Sequence, residues 1–366
     1  MKYSTLKNVK SWIGHRIREL IVHFIWMLQP KSNKTVVIFP CGDKSLGSSN
    51  LRAFYIGKYL KKMGWRVTVV PKQLELLQRQ RILRIQKPKV ILIQKARHPL
   101  NKASLYPGIP IVFDIDDADY LDAYQYDAIV ECCKLSKSVI AGSVAVAKWC
   151  SDFNSSVQVV WTGTPDSIVP HNSKQSSERE PIVAWACSTS IGYPEEAEFI
   201  KKVLEKLADR ISFEFWLYGV DSEGNAEKLF GNLRNKGVTV RYYYYMLYKN
   251  FINTLGQVSV GLHPLLPKKN AFSGGKSFSK ILAYLVANVA VVVSDAADHR
   301  EFFEHGKNGM IVDEVDDWVE SIYELLTDNE LRQKLVDNAN KDFYSNLTTE
   351  VASKKVEGIL LGVIKK

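Results

Sequence analysis

Apolar positions in this chain fall into short β-branched runs separated by stretches of helical spacing, and the alternation begins near Thr35. Residues 36–40 form a run short enough for a buried strand, followed by a loop over 41–50, a helix over 51–63 and a strand over 66–70. Further strands are predicted at 89–94, 111–113, 138–141 and 157–161. A polar stretch then interrupts the pattern over 164–181, with Asn172-Ser173-Lys174-Gln175-Ser176-Ser177-Glu178 at its centre, and predicts a linker. After it the alternation restarts. Strands are expected at 182–186, 212–218, 238–244, 259–262 and 289–293, with helices over 194–208, up to about 255, and over 315–326 and 330–344. A tail helix over 351–364 is expected to cross back onto the first half. The fold class is therefore α/β: two Rossmann-like, doubly wound domains facing a cleft, over 35–165 and 181–344, with a linker at 166–180 and a returning helix at 345–366.

The first 34 residues carry a different signal. Ile13, Ile17, Leu20, Ile21, Phe24, Ile25 and Leu28 share one side of a helix, flanked by His15, Arg16, Arg18 and Glu19 and ended by Pro30. Trp12, Val22 and Trp26 interrupt the polar side. Lys2, Lys7, Lys10, Arg16, Arg18, Lys31 and Lys34 stand against one acid, Glu19, so seven minus one gives about +6 of the formal +10. Two readings stay open: an interfacial anchor on an anionic membrane surface through residues 1–30, or a helix that docks on its own domain or a partner. The remaining chain is only mildly basic and lacks a basic stripe with interleaved aromatics, which argues against nucleic acid as partner.

A length of 366 residues is long for one core and fits two domains. Cys41, Cys132, Cys133, Cys150 and Cys187 are odd in number and include no C-x-x-C, so neither a disulfide framework nor a zinc site is indicated. No apolar run approaches the roughly 18–20 residues that span a bilayer, and no small-residue cleavage site follows the first helix. The expected location is cytoplasmic, peripheral on the inner face of the membrane.

The segment Ser273-Gly274-Gly275-Lys276-Ser277-Phe278-Ser279-Lys280 carries the chemistry. A glycine-rich turn with two lysines four residues apart, leading into an apolar helix, supplies free backbone N–H groups and positive charge to a diphosphate. A solvated helix start is the plainer alternative. With Tyr284-Leu285, Val291-Val292-Val293-Ser294, Glu301, His305-Gly306-Lys307-Asn308-Gly309, Trp318 and Leu325-Leu326, this segment resembles the carboxyl half of GT-B glycosyltransferases. It is most similar to the retaining, family-four type that builds bacterial polysaccharides. In the first domain, Ser48-Ser49-Asn50-Leu51-Arg52, Gln94-Lys95, Phe113-Asp114-Ile115-Asp116-Asp117-Ala118 and Ala141-Gly142-Ser143 resemble a branch of the same group. The similarity spans roughly residues 35–345.

The resemblance implies a nucleoside diphosphate sugar donor held by the second domain, with Lys276, Lys280, Gly274, Gly275, Ser277 and Ser188 at the diphosphate. Gly219 and Tyr243 fall where the base is held, although the tyrosines of 242–245 suit an aromatic sheet face equally well. His263 follows a buried strand and either meets the donor sugar or serves the loop. Four positions depart from the pattern: Asn288 and Ala290 stand in place of a glycine and a proline, and Gly275 and Ala283 replace glutamates, the second of which bonds the ribose hydroxyls in many members. Losing a charged hydrogen bond of about 1.5–3 kcal/mol weakens affinity by about 10–150-fold.

In the first domain Asp114 and Asp116 are the candidate catalytic acids, for accepting an acceptor proton or steadying oxocarbenium-like charge. Strand alternation puts those two on one face and Asp117 on the other, where it suits a helix cap. Ser48, Ser49 and Arg52 open the first helix and either contact phosphate or acceptor or cap that helix. No metal and no cofactor are expected, the nucleotide sugar being a substrate. The activity implied is sugar transfer to a glycan acceptor, lipid-linked in some enzymes of this type, in surface polysaccharide synthesis. The alternatives are a GT-B scaffold that lost catalysis or, further off, an epimerase.

Overall fold

The β-branched runs become parallel strands in two separate six-stranded sheets. The computed structural model describes residues 2–165, 167–170, 174–187 and 189–365. One unit runs to Gly163 and takes in the residues from Thr349 onward; the other spans Thr164–Thr348.

In the first unit the strands are β1 Thr35–Phe39, β2 Arg66–Val69, β3 Val90–Gln94, β4 Ile111–Ile115, β5 Ser138–Ala141 and β6 Val157–Val159, in the order β2-β1-β3-β4-β5-β6. Both faces are covered, so the strands read as continuous apolar runs rather than alternating ones. Val37, Phe39, Ile91, Ile93 and Phe113 pack under the helices Leu76–Gln86, Ala123–Leu135 and Val144–Ser151. Val36, Ile38, Val90, Leu92 and Val112 pack under Ile56–Lys62 and Thr349–Lys365. Strand β4 runs two residues past the expected end, which places Asp114 inside the sheet.

The helix Lys2–Met27 settles onto this unit by the side that looked polar with interruptions. Glu19 is buried between Arg16 Nη1 and Arg81 Nη1, each 3.0 Å away, and Val22 joins the core. Arg66 lies 3.4 Å over the Trp26 ring and donates to the Trp26 carbonyl at 2.8 Å. Gln29 exchanges two hydrogen bonds with the backbone of Val67, at 2.8 and 2.9 Å. The interruptions Val22 and Trp26 are therefore the docking side. Ile13, Ile17, Leu20, Ile21, Phe24, Ile25, Met27 and Leu28 are left 45–69% exposed. No described helix is long and apolar enough to cross a membrane.

The second unit contains β7 Ile182–Ala186, β8 Glu214–Val220, β9 Thr239–Tyr244, β10 Val260–His263, β11 Ala290–Val293 and a short β12 Met310–Ile311 that hydropathy alone does not reveal. Their order is β12-β11-β10-β7-β8-β9. Chain order reverses between β7 and β10, and the carboxyl ends of strands at such a point are where open α/β sheets take ligands. The polar stretch before β7 is anchored to this unit. Arg179 is buried, donating to the carbonyls of Val258 at 2.7 Å and Ala287 at 2.9 Å, while Arg332 Nη2 donates to the Ser176 carbonyl at 2.9 Å. Two buried arginines thus cap carbonyls inside the unit. Asn172 and Ser173 lie outside the described residues. All five cysteines are free.

Candidate functional site

The helix Ser279–Val286 is drawn against the strands at the switch point by one tight contact. Gly261 in β10 has no room for a side chain, because a Cβ there would sit 2.7 Å from the Tyr284 ring. The Tyr284 hydroxyl, in turn, reaches the Ala184 carbonyl of β7 at 3.2 Å. This fixes the first turn of the helix, and with it Lys280, at the carboxyl ends of β7 and β10. Lys280 lies in the electrostatic field of Cys187, the residue that follows β7, and of Lys276. Burial lowers its pKa and Lys276 adds to that effect. Among the described residues, no carboxylate or hydrogen-bond acceptor pairs with the Lys280 ammonium, which lies 6.0 Å from the centre of the Phe251 ring.

Lys276 does not share a helical face with Lys280, contrary to the spacing argument. Ala271–Gly275 forms a 3-10 turn, Lys276 itself is extended, and the α-helix starts only at Ser279. Its ammonium donates to the Tyr193 hydroxyl at 2.7 Å and rests 4.3 Å from the Phe272 ring centre. Ser273 Oγ donates to the buried Glu196 at 2.5 Å, tying the turn to the helix Pro194–Ala208. Gly274 passes 3.3 Å from Pro267, measured from an added Cβ, and Gly275 and Ser277 are buried. Ser188 lies outside the described residues.

His263 ends β10 in the same field, with Lys276 and Lys280 both acting on it. Its Nδ1 is 3.0 Å from Nε2 of His299. Gly219 adopts φ +85° at the irregularity between Tyr218 and Val220, a backbone state that favours glycine. Tyr243 stacks on Tyr218 with ring centres 4.6 Å apart, so one of its faces is already occupied within the sheet. Tyr242 turns the other way and donates to Glu227 at 2.7 Å.

In the first unit the expected catalytic and phosphate-contacting residues meet one another instead. Arg52 and Asp114 are buried and form a bidentate pair, Nε to Oδ1 at 2.8 Å and Nη2 to Oδ2 at 2.9 Å. Arg52 Nη1 is spent on the Val160 carbonyl at 2.9 Å and Thr162 at 3.1 Å. Arg52, from the helical segment Asn50–Tyr55, thereby braces β4 and the chain that follows β6, so its guanidinium and the Asp114 carboxylate are engaged with each other within the unit. Ser49 is likewise interior, accepting from the Gly42 N–H at 2.9 Å and donating to Gln94 at 3.0 Å; it does not cap a helix. Ser48 is half-buried beside it.

Asp116 is buried too. Lys95 Nζ, itself buried, lies 2.8 Å from Asp116, 2.9 Å from Asp117 and 3.4 Å from Asp119, and Arg97 also pairs with Asp119. Strand alternation fails past Ile115, where the strand ends and the chain wraps Asp116, Asp117 and Asp119 around one ammonium. Lys95 holds φ +54° and its N–H bonds the Asp114 carbonyl at 2.8 Å, aiming its side chain inward. Burial pushes the Asp116 carboxyl up to about 6, with Lys95 opposing that shift. Asp116, buried and paired with Lys95, helps order this loop. Among the described residues, no group of His, Cys, Asp or Glu is arranged to hold a metal ion.

Sequence reasoning missed the roles of Tyr193, Arg97, Asp119 and His299. Arg97 and Asp119 had a usable signal, because both follow adjacent strands at their carboxyl ends. Tyr193 and His299 reach the site through tertiary contacts that leave no trace in local spacing.

Residues 184–328 match the family model described as glycosyl transferases group 1. No curated protein matches the sequence. Among solved structures, sucrose-phosphate synthase from Thermosynechococcus elongatus superposes with a TM-score of 0.69 at 11% identity, over 91% of this chain and 100% of that one. A glycosyltransferase from Rickettsia africae gives 0.69 at 13% identity, over 92% and 100%. Anabaena HepE in complex with UDP and glucose gives 0.67 at 14% identity, over 90% and 100%. Likeness at these identities establishes the fold, and the family match lies across the unit that carries both lysines. Residues 184–328 are thus similar to group 1 glycosyl transferases, and the chain as a whole has the GT-B fold of these solved structures.

Proposed function

We propose that Lys276 and Lys280 hold the diphosphate of a nucleoside diphosphate sugar, and that the sugar passes to a glycan acceptor in surface polysaccharide synthesis. The observation that carries this reading is the half-buried ammonium of Lys280, unpaired by any described residue at the switch point of the second sheet. A cation kept partly out of water without a counter-charge is costly unless an anion completes it. As the glycosidic bond breaks, negative charge grows on the leaving diphosphate, and two fixed cations beside it lower the barrier without moving. Retention of configuration and independence from metal are what the resemblance to retaining family-four enzymes implies. UDP is the first base to test, since Anabaena HepE was solved with it.

A thermal-shift panel of UDP, GDP and ADP tests the reading. Ligand at 100 times its Kd adds about 2.7 kcal/mol, enough to raise Tm by several degrees. No shift with any of them removes the donor site. Binding without transfer to any acceptor would favour the scaffold that Gly275 and Ala283 allow.

The exposed apolar stripe of the helix Lys2–Met27 supports a peripheral membrane location for the same enzyme. Its one acid, Glu19, is neutralised by Arg16 and Arg81, so the outward charge of the helix is basic. Anionic liposomes are expected to float the protein, neutral ones much less, and 0.5 M salt is expected to weaken the effect. Leu20→Glu with Phe24→Glu, both on the exposed side, is expected to abolish flotation while leaving Tm within about 2 °C, surface changes of this kind costing little stability. Equal flotation of that variant would exclude the stripe as the anchor.

A further inference from the structure

We infer that His263 offers a bare ring nitrogen, Nε2, as hydrogen-bond acceptor to a hydroxyl of the donor, and that His299 is the positioning residue that locks His263 in that tautomer. The inference rests on the donor reading above and deepens it. His299 Nδ1 lies 2.6 Å from the Ser294 carbonyl oxygen, which only accepts, so the proton of His299 sits on Nδ1. Burial holds the His299 pKa down at about 4, so at neutral pH the ring carries no second proton and Nε2 is a lone pair. That lone pair faces His263 Nδ1 at 3.0 Å, which must therefore be the N–H. A neutral His263 protonated on Nδ1 has its Nε2 free of hydrogen. Burial, His299 and the two lysines all oppose a positive charge on His263.

The surroundings make this tautomer informative. Phe278, Phe302 and Phe303 pack about the His299 ring and its helix, offering no competing hydrogen bond. The one acid in the field of His299, Asp295, is held by Arg300 through two contacts of 2.5 Å. Lys276, Lys280 and backbone amides are donors, suited to phosphate oxygens. A sugar nucleotide also carries hydroxyls, which need acceptors, and His263 Nε2 supplies one on the same sheet edge. The hydroxyl belongs to the transferred sugar or to the ribose.

Two measurements test this. In ¹⁵N-labelled wild-type protein, two-bond proton–nitrogen correlation is expected to show His263 Nε2 at a pyridine-like shift and Nδ1 at a pyrrole-like one. His299→Phe is expected to give mixed tautomers at His263, whereas His299→Gln, whose amide oxygen also accepts, keeps the wild-type pattern. In calorimetry, His263→Leu and His299→Phe are expected to bind UDP-glucose roughly 2- to 12-fold more weakly. Loss with UDP-glucose but not UDP assigns the transferred sugar; equal loss with both assigns the ribose. A protonated Nε2 in the wild type, or unchanged affinity for both ligands in His263→Leu, overturns the inference while leaving the lysine site standing. Failure of the wild type to bind any nucleotide overturns the donor reading and this inference with it.

Discussion

Lys280→Ala is expected to lower kcat/KM by about 10²–10³-fold while leaving the unliganded protein as stable as the wild type, or more so. Removing one preorganised donor from a site of developing negative charge costs about that much in rate. Stability should move the other way. The Lys280 ammonium has no described counter-charge, and burial and Lys276 both lower its pKa, so the folded state gains nothing from its charge. The sign follows directly: with a folded pKa below the unfolded one, proton uptake favours the unfolded chain as pH falls through that range. Alanine removes the term. Lys276→Ala should cost less in rate and something in stability, because Lys276 also bonds Tyr193 and covers Phe272. Steady-state kinetics with a UDP-sugar, set beside melting curves, decides it. A Lys280→Ala enzyme with unchanged kcat/KM would end the proposed donor site.

That contrast marks where sequence reasoning reached and where it stopped. The buried runs over 36–39, 90–93 and 182–186 are apolar at every position, because both faces of a parallel sheet are covered, and strand identity follows from that alone. The segment 273–280 stood out because glycine and lysine leave a local signature, and its lysines stand at the carboxyl side of the second sheet. Which charges are paired was not legible. Arg52 and Asp114 are 62 residues apart and Lys95 and Asp117 are 22 apart, so their pairing depends on strand order, which hydropathy does not encode. The same blindness hid His299, 36 residues from His263. Strand alternation misplaced Asp117 because the strand stops at Ile115 and period-two reasoning ends with it. The first helix shows the reverse case. Val22 and Trp26 looked like flaws in an amphipathic pattern and are its docking side, leaving a cleaner apolar stripe outside than the sequence alone suggested.

Lys95→Met is expected to destabilise the first unit by about 3–5 kcal/mol, the cost of leaving buried charges without their partner. At roughly 2–4 °C per kcal/mol for a domain of this size, Tm falls by about 6–20 °C. The reason lies in the charge arithmetic of the cluster. Asp114, Asp116, Asp117 and Asp119 face Arg52, Lys95 and Arg97, so four carboxylates meet three cations. Burial opposes the charge on Lys95, but Asp116, Asp117 and Asp119 more than offset it and hold its pKa above the ordinary value. The surplus negative charge falls on Asp116, whose carboxyl is raised to about 6. A raised folded pKa means that stability from this group is present in acid and is lost as pH climbs through about 6. Without Lys95 the acid pKa values rise further, so the gap between Lys95→Met and wild type should be small near pH 5 and widen toward pH 7.5. Asp116→Asn, which keeps the shape and balances three carboxylates against three cations, should melt within about 2 °C of wild type or above it at pH 7.5, being spared the charge that burial penalises. Melting curves of the three proteins across that pH range separate the possibilities. A Lys95→Met protein as stable as wild type at pH 7.5 would mean that these carboxylates reach water, and Asp116 would return as a group able to meet an acceptor.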